Sequence, residues 1–192
     1  MHLKGSAFVH QANRLEHQQK GLSLPLRKDA SIWFKKSYDL DSTNTELLFD
    51  MAANYERRDS LDLAIKWFNR LIQRNPDHAP GLNYLGYMLV DSKRDVKRGA
   101  QLIDSALARD PENLAYLDSK GWSLYRLGRY AEALKVMEYV ESKGMDDETL
   151  WEHMAWICEA LQLKDRAMEY WKKVLRLNAH HKKALERAGV KP

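Results

Sequence analysis

Histidines, cysteines and clustered carboxylates are the side chains with which a protein of this size would bind metal or transfer protons, and here they are dispersed. The 192 residues include seven histidines and one cysteine. His180 and His181 are adjacent, so their rings diverge on a helix, while His78 and His153 lie far off in sequence. There is no HExxH pattern, and the single Cys158 supplies neither an internal disulfide nor a cysteine-based zinc site. Each of these histidines is expected to be solvated. The acidic run Asp146-Asp147-Glu148 suits the positive end of a helix better than a catalytic pair. Gly81 and Gly86 stand singly within a helical pattern, so no phosphate-cradling loop is present. Spacing leaves a Ser/His/Asp arrangement open, yet no GxSxG elbow occurs. The expectation is a protein that is not an enzyme and holds no metal or cofactor.

What the chain does concentrate is aromatic. Residues 117–134, LDSKGWSLYRLGRYAEAL, set Trp122, Tyr125 and Tyr130 around Gly121 and Gly128. Rings with a polar edge are recognition chemistry, because they present large rigid area and can still hydrogen-bond. Which way they face depends on the elements that carry them.

Those elements repeat. Ala133 and Ala167 are 34 residues apart, Ala52 and Gly86 are 34 apart, Gly86 and Gly121 are 35 apart, and Gly121 and Ala155 are 34 apart. Four units follow: 45–78, 79–113, 114–147 and 148–181, the second lengthened by Asp91-Ser92-Lys93-Arg94-Asp95. Each carries two runs of apolar residues at helical spacing, such as Leu48, Met51, Ala52 and then Ala64, Phe68, Leu71 in the first, so the fold class is all-α. Small residues recur where paired helices must cross closely: Ala52, Gly86, Gly121 and Ala155 on first helices, Ala64, Ala133 and Ala167 on second ones. Asn75-Pro76, Asp110-Pro111 and Lys143-Gly144 mark helix ends. Residues 1–44 read as a degenerate repeat or cap, with a helix from about Ser6 to Gln19, a connection over Gly21 to Pro25, and a second helix from Ala30 to Leu40. Residues 182–192 read as a capping helix and tail.

With this period and with Gly121, Tyr130 and Ala133 at their places, the chain resembles tetratricopeptide repeat proteins. The resemblance implies a right-handed superhelical solenoid of antiparallel helix pairs whose concave groove is lined by first helices. Carried over position by position, that groove comprises Phe49, Arg57, Asn83, Tyr87, Asp118, Trp122, Tyr125, Arg126, Glu152, Trp156 and Glu159. Tyr87, Trp122 and Trp156 share one repeat position and are expected to form an aromatic line, with Trp122 outside the core. The implied ligand is a protein or peptide segment. Phe49, Ala53, Asn83 and Tyr87 replace the lysine and asparagine with which some relatives clamp chaperone carboxyl termini, so that clamp is absent. A narrower resemblance, carried by Asn83-Tyr84-Leu85-Gly86-Tyr87 and by residues 117–128, is to the C-terminal repeats of large Gram-negative envelope adaptor lipoproteins. It implies an envelope location if the chain belongs to an exported lipoprotein, against a cytoplasmic one as the chain stands.

Composition sets the remaining bounds. A mean hydropathy of -0.62 with 44% hydrophobic residues excludes disordered and fibrous classes, and no apolar run is long enough to span a membrane. The net charge of +4 gathers at one end, with nine Lys or Arg against three Asp or Glu over residues 164–191. Nucleic-acid binding through Lys172, Lys173, Arg176, Lys182, Lys183 and Arg187 is therefore a secondary reading, and a solvated helix face accounts for the same residues. A non-enzymatic interaction scaffold leads, and an accessory repeat domain of a larger assembly or enzyme is the further alternative.

Overall fold

The computed structural model describes residues 1–4, 6–7, 11 and 20–189. Regular structure among the described residues is entirely helical. The helices are α1 (Lys20–Leu40), α2 (Thr45–Glu56), α3 (Leu61–Arg74), α4 (Ala79–Asp91), α5 (Val96–Leu107), α6 (Leu114–Arg126), α7 (Tyr130–Ser142), α8 (Glu148–Ala160), α9 (Lys164–Leu177) and α10 (Lys182–Arg187). They fall into two compact units, Met1–Met88 and Leu89–Pro192, divided within α4.

First helices and the second helices α3, α7 and α9 begin differently, for a local reason. First helices carry side-chain caps: Asn44 accepts from the Leu47 amide at 3.0 Å, Asn113 from Tyr116 at 3.3 Å, and Asp147 from Thr149 at 2.8 Å and Leu150 at 3.3 Å. Each satisfies amides that the first helical turn leaves without a partner. Second helices α3, α7 and α9 have no such cap and are entered from one recurring turn. Its hinge takes a left-handed backbone at Asp59 (φ 54°), Gly128 (φ 78°) and Gln162 (φ 60°). The next amide then reaches five residues back, Ser60 to Tyr55, Arg129 to Leu124 and Leu163 to Cys158, at 2.9–3.0 Å. This is the bonding that ends a helix on a left-handed residue. The longer turn of residues 92–95 uses Lys93 (φ 58°) instead and sends the Asp95 amide six residues back to Leu89.

In the first unit, Leu47, Leu48, Met51 and Ala52 of α2 are buried with Ala64, Phe68 and Leu71 of α3 and with Ala30 and Phe34 of α1. In the second, Gly121 faces Met137, and a β-carbon built there would stand 2.2 Å from its sulfur. Beyond it Leu150, Met154, Ala155 and Cys158 join Ala167, Trp171, Val174 and Ala184 in one apolar cluster. Burial pushes the Cys158 thiol above its ordinary pKa, the reverse of what a nucleophile needs.

The N-terminal reading changes in part. Gly21 to Pro25 does not form a connection: α1 runs unbroken from Lys20 with Pro25 inside it. Proline removes one helical hydrogen bond, but Arg27, Ala30 and Phe34 beyond it are fully buried and hold the downstream helix against the core. Most of the helix expected over Ser6 to Gln19 lies outside the described residues.

Candidate functional site

The eleven residues expected to line a groove divide between the two units: Phe49, Arg57, Asn83 and Tyr87 in the first, the other seven in the second. In the first unit Phe49 is occupied internally. Its ring meets Phe68 at 5.8 Å, His78 at 5.3 Å and Tyr84 at 5.5 Å between centroids. Asn83 is buried, Tyr87 is half-buried and Arg57 is exposed.

The second unit assembles its seven on α6 and α8, beginning with Trp122. This ring is not outside the core as its repeat position suggested; it is 5% exposed. Tyr125, one helical turn on, stacks on it at 4.7 Å and His153 of α8 at 4.1 Å, both within 14° of parallel. The Arg126 guanidinium lies 4.4 Å from the ring centroid. The indole N–H donates to the Asp91 carboxylate at 3.0 Å, which also accepts from Arg126 at 3.1 Å. Asp91 thus ties the end of α4 to α6, satisfying the one polar atom that burial of an indole strands.

Asp118 and His153 form the buried part of the site. The Asp118 carboxylate lies 3.0 Å from His153 Nδ1, with the two side chains 10% and 4% exposed. His153 is therefore a core residue and not a solvated one. Its ring is flat, polar at one edge and held from α6, so it can back Trp122 while its nitrogen is satisfied. Two further histidines serve helix ends: His78 accepts from the Gly81 amide at 3.0 Å and His181 from the Ala184 amide at 3.1 Å.

Tyr125, Arg126, Glu152, Trp156 and Glu159 remain accessible in the second unit, all half-buried. Trp156 packs edge-on against Trp171 at 5.3 Å and donates to Glu152 at 3.3 Å. Lys183 and Arg187 lie 5.7 and 5.2 Å from its ring. Glu159 accepts from the Trp171 indole at 2.8 Å and pairs with Arg187 at 3.4 Å, while Glu152 is 3.5 Å from His181. Burial pushes the Tyr125 phenol above its ordinary pKa, Tyr130 and Glu159 adding to it while Arg126 and Arg187 oppose. These are rings set among paired charges of both signs. Such a face suits polar and aromatic contact, and among the described residues no group of three His, Cys, Asp or Glu could hold a metal.

Sequence reasoning passed over His153 as a site component and counted Lys183 and Arg187 only toward the basic end. Asp91 was legible as the thirteenth position of its repeat, where Arg126 stands one repeat later. The other three act from α8 and α10 onto neighbours, which no single repeat position records.

The basic end is largely internal in its pairing. Lys173 contacts Glu141 at 2.7 Å, Arg176 Asp146 at 2.6 Å and Lys183 Glu186 at 3.0 Å, so with the Arg187 pair four of the six basic residues that would meet a polyanion already have carboxylate partners.

Known proteins share both the pattern and the fold. Residues 91–148 match one description of the tetratricopeptide repeat and residues 149–181 another. A TPR repeat-containing protein of Pseudomonas aeruginosa is 34% identical over 102 residues, 53% of this chain and 17% of that protein. The chain spans between 10% and 17% of the lengths of the first curated relatives it matches. A thermophilic TPR protein of Thermus thermophilus has a similar structure, with a TM-score of 0.72 at 15% identity, over 96% of this chain and 97% of that one. A tetratricopeptide repeat protein of Parabacteroides merdae gives 0.71 at 20% identity, over 91% of this chain and 65% of that one. The common turn, the small residues at the helix crossings and these likenesses together identify residues 91–181 as tetratricopeptide repeats.

Proposed function

We propose that the chain is a non-enzymatic interaction scaffold, and that its second unit binds a partner protein segment over α6 and α8 through Tyr125, Arg126, Glu152, Trp156 and Glu159. One observation carries this reading. Two half-buried aromatic residues, Tyr125 and Trp156, occupy successive first helices, each with an arginine over its ring, and Trp156 with its indole N–H on the Glu152 carboxylate. Rings held this way are already desolvated on one face and lose little rotamer freedom on binding, which is what concentrates binding energy in a few residues. Trp122, Asp118 and His153 act as the support beneath them. Tetratricopeptide repeats are in general protein-interaction elements, which favours a protein ligand over a nucleic acid, as does the internal pairing of the basic residues.

The test is affinity capture from lysate of the source organism with wild type and a Tyr125→Ala, Trp156→Ala variant. Trp122→Ala is unsuitable, because truncating a buried ring perturbs the whole unit. A protein retained by wild type and lost by the variant, with unchanged circular dichroism, is expected. Equal retention by both would refute this site.

A further inference from the structure

The two junctions between successive second helices of the second unit have matching helix bounds but are filled differently. Residues of α6 and α7 correspond to those 34 positions on in α8 and α9. Between α7 and α9 the chain fills the furrow itself. Trp151 stacks on Tyr170 with centroids 5.9 Å apart, and Lys173 Nζ stands 4.0 Å from the Trp151 ring. Glu141 accepts from the Tyr170 hydroxyl at 2.8 Å and from Lys173 at 2.7 Å, and Arg166 donates to Glu138 at 2.7 Å.

One repeat earlier the corresponding residues are smaller or uncharged. Leu117 stands for Trp151, Val136 for Tyr170 and Leu107 for Glu141. What remains is an open cleft of about 570 Å³ whose lining includes Leu117, Leu124, Val136, Tyr139, Lys120 and Lys135. That volume lies within the range of clefts that hold ligands, about 300–1,000 Å³. Tyr139 is 41% exposed. The cations of the rim are not equally free. Lys120 pairs with Asp104 and Arg129 with Glu132, both at 2.6 Å. Lys135 and Lys143, the latter 5.0 Å from the Tyr139 ring, have no carboxylate partner among the described residues.

We propose that this cleft docks a segment of a partner protein bearing an aromatic ring close to one or more carboxylates. The ring takes the place that Trp151 fills one repeat later, on the apolar floor of Leu117, Leu124 and Val136. The carboxylate lies at the rim beside Tyr139, with Lys135 and Lys143 as its counter-ions. An apolar floor rewards burial of a ring, and unpaired lysines at its edge favour acidic over basic neighbours. The surface uses none of Tyr125, Arg126 or Trp156, so it is a second site that stands or falls apart from the first.

The experiment is selection of phage-displayed random dodecapeptides on the full chain, followed by affinity measurement on variants. Recovered peptides are expected to carry Trp, Phe or Tyr within a few residues of Asp or Glu. Their binding is expected to weaken by about tenfold or more in Leu117→Trp, Val136→Tyr, which installs the filling of the next repeat, and in Lys135→Glu. It is expected to weaken with salt and to survive Tyr125→Ala, Trp156→Ala. Peptides that lack the ring and acid, that bind the filled variant as well as wild type, or whose binding never depends on this cleft overturn the proposal. Should the filled variant lose its helical circular dichroism, Lys135→Glu and Tyr139→Ala decide, and binding unchanged by both refutes it.

Discussion

Gly121→Ala is the sharpest probe of the helix crossing, because two effects of known sign oppose each other there. The added β-carbon would stand 2.2 Å from Met137 Sδ and 2.7 Å from its Cγ, both far inside van der Waals contact. Met137 is fully buried, so its thioether has no solvent to retreat into. Overpacking of this kind costs about 1–3 kcal/mol, while alanine gains about 1 kcal/mol over glycine within a helix. The net expectation is a loss of about 0–2 kcal/mol. In a Met137→Ala background both clashing atoms are gone, and the nearest remaining atom is the Ala133 carbonyl oxygen at 3.7 Å. The same glycine substitution should then stabilise, by about 1 kcal/mol from helix propensity alone. Urea denaturation of the four proteins of this cycle, followed by circular dichroism, reads the difference as a coupling of about 1–3 kcal/mol. If Gly121→Ala has the same sign and size in both backgrounds, Met137 does not set the limit on side-chain size at this crossing.

Three further outcomes are expected. Trp122→Ala removes a buried ring stacked on Tyr125 and His153, so it should lower stability by about 3–5 kcal/mol in a chemical denaturation curve, whereas Tyr125→Ala should cost clearly less. Burial and the neighbouring Glu141 carboxylate push the Tyr170 phenol up to about 12, with Arg166 opposing. The folded state therefore holds that proton more tightly than the unfolded chain, and stability should fall as pH rises from about 10 towards that value; Tyr170→Phe should flatten this alkaline limb in a pH series of thermal melts. At the acid end, burial alone would raise the Glu141 carboxyl, but hydrogen bonds from Lys173 and Tyr170 outweigh it and hold the pKa below its ordinary value. Its contribution is present above the ordinary glutamate value of about 4.3 and is lost as pH falls through the lowered one, so Glu141→Gln should diminish the acid-induced loss in the same melts.

Much of the architecture was legible because it is written in local chemistry. The small residues at Ala52, Gly121, Ala133 and Ala167 and the glycines at 128 and 144 each act within one repeat, where sequence spacing is a distance. What spacing did not reveal acts between repeats. Asp118 and His153 are 35 residues apart and meet because α6 and α8 are neighbours; neither residue alone distinguishes a solvated side chain from half of a buried pair. Trp122 falls at a groove position, yet His153 covers one of its faces, so position within a repeat told which helix face it occupies but not what stacks on it. Pro25 misled in another way: a signal for a break was outweighed by the burial of Arg27, Ala30 and Phe34 beyond it.

The polar ties between successive helices bear on heredity as well as stability. Asp91 to Trp122, Asp118 to His153 and Glu141 to Tyr170 and Lys173 each occur at a single junction, although the backbone at those junctions repeats every 34 residues or so. Repeats that look interchangeable are therefore keyed. Exchange repeats three and four by recombination and His153 is parted from Asp118, while Trp151 is parted from the furrow it fills. A chain with such joints pays for a shuffle in stranded buried groups, the Trp122 indole and the Asp118–His153 pair among them. The order of these repeats is thus guarded by the side chains that made each of them unlike its neighbour.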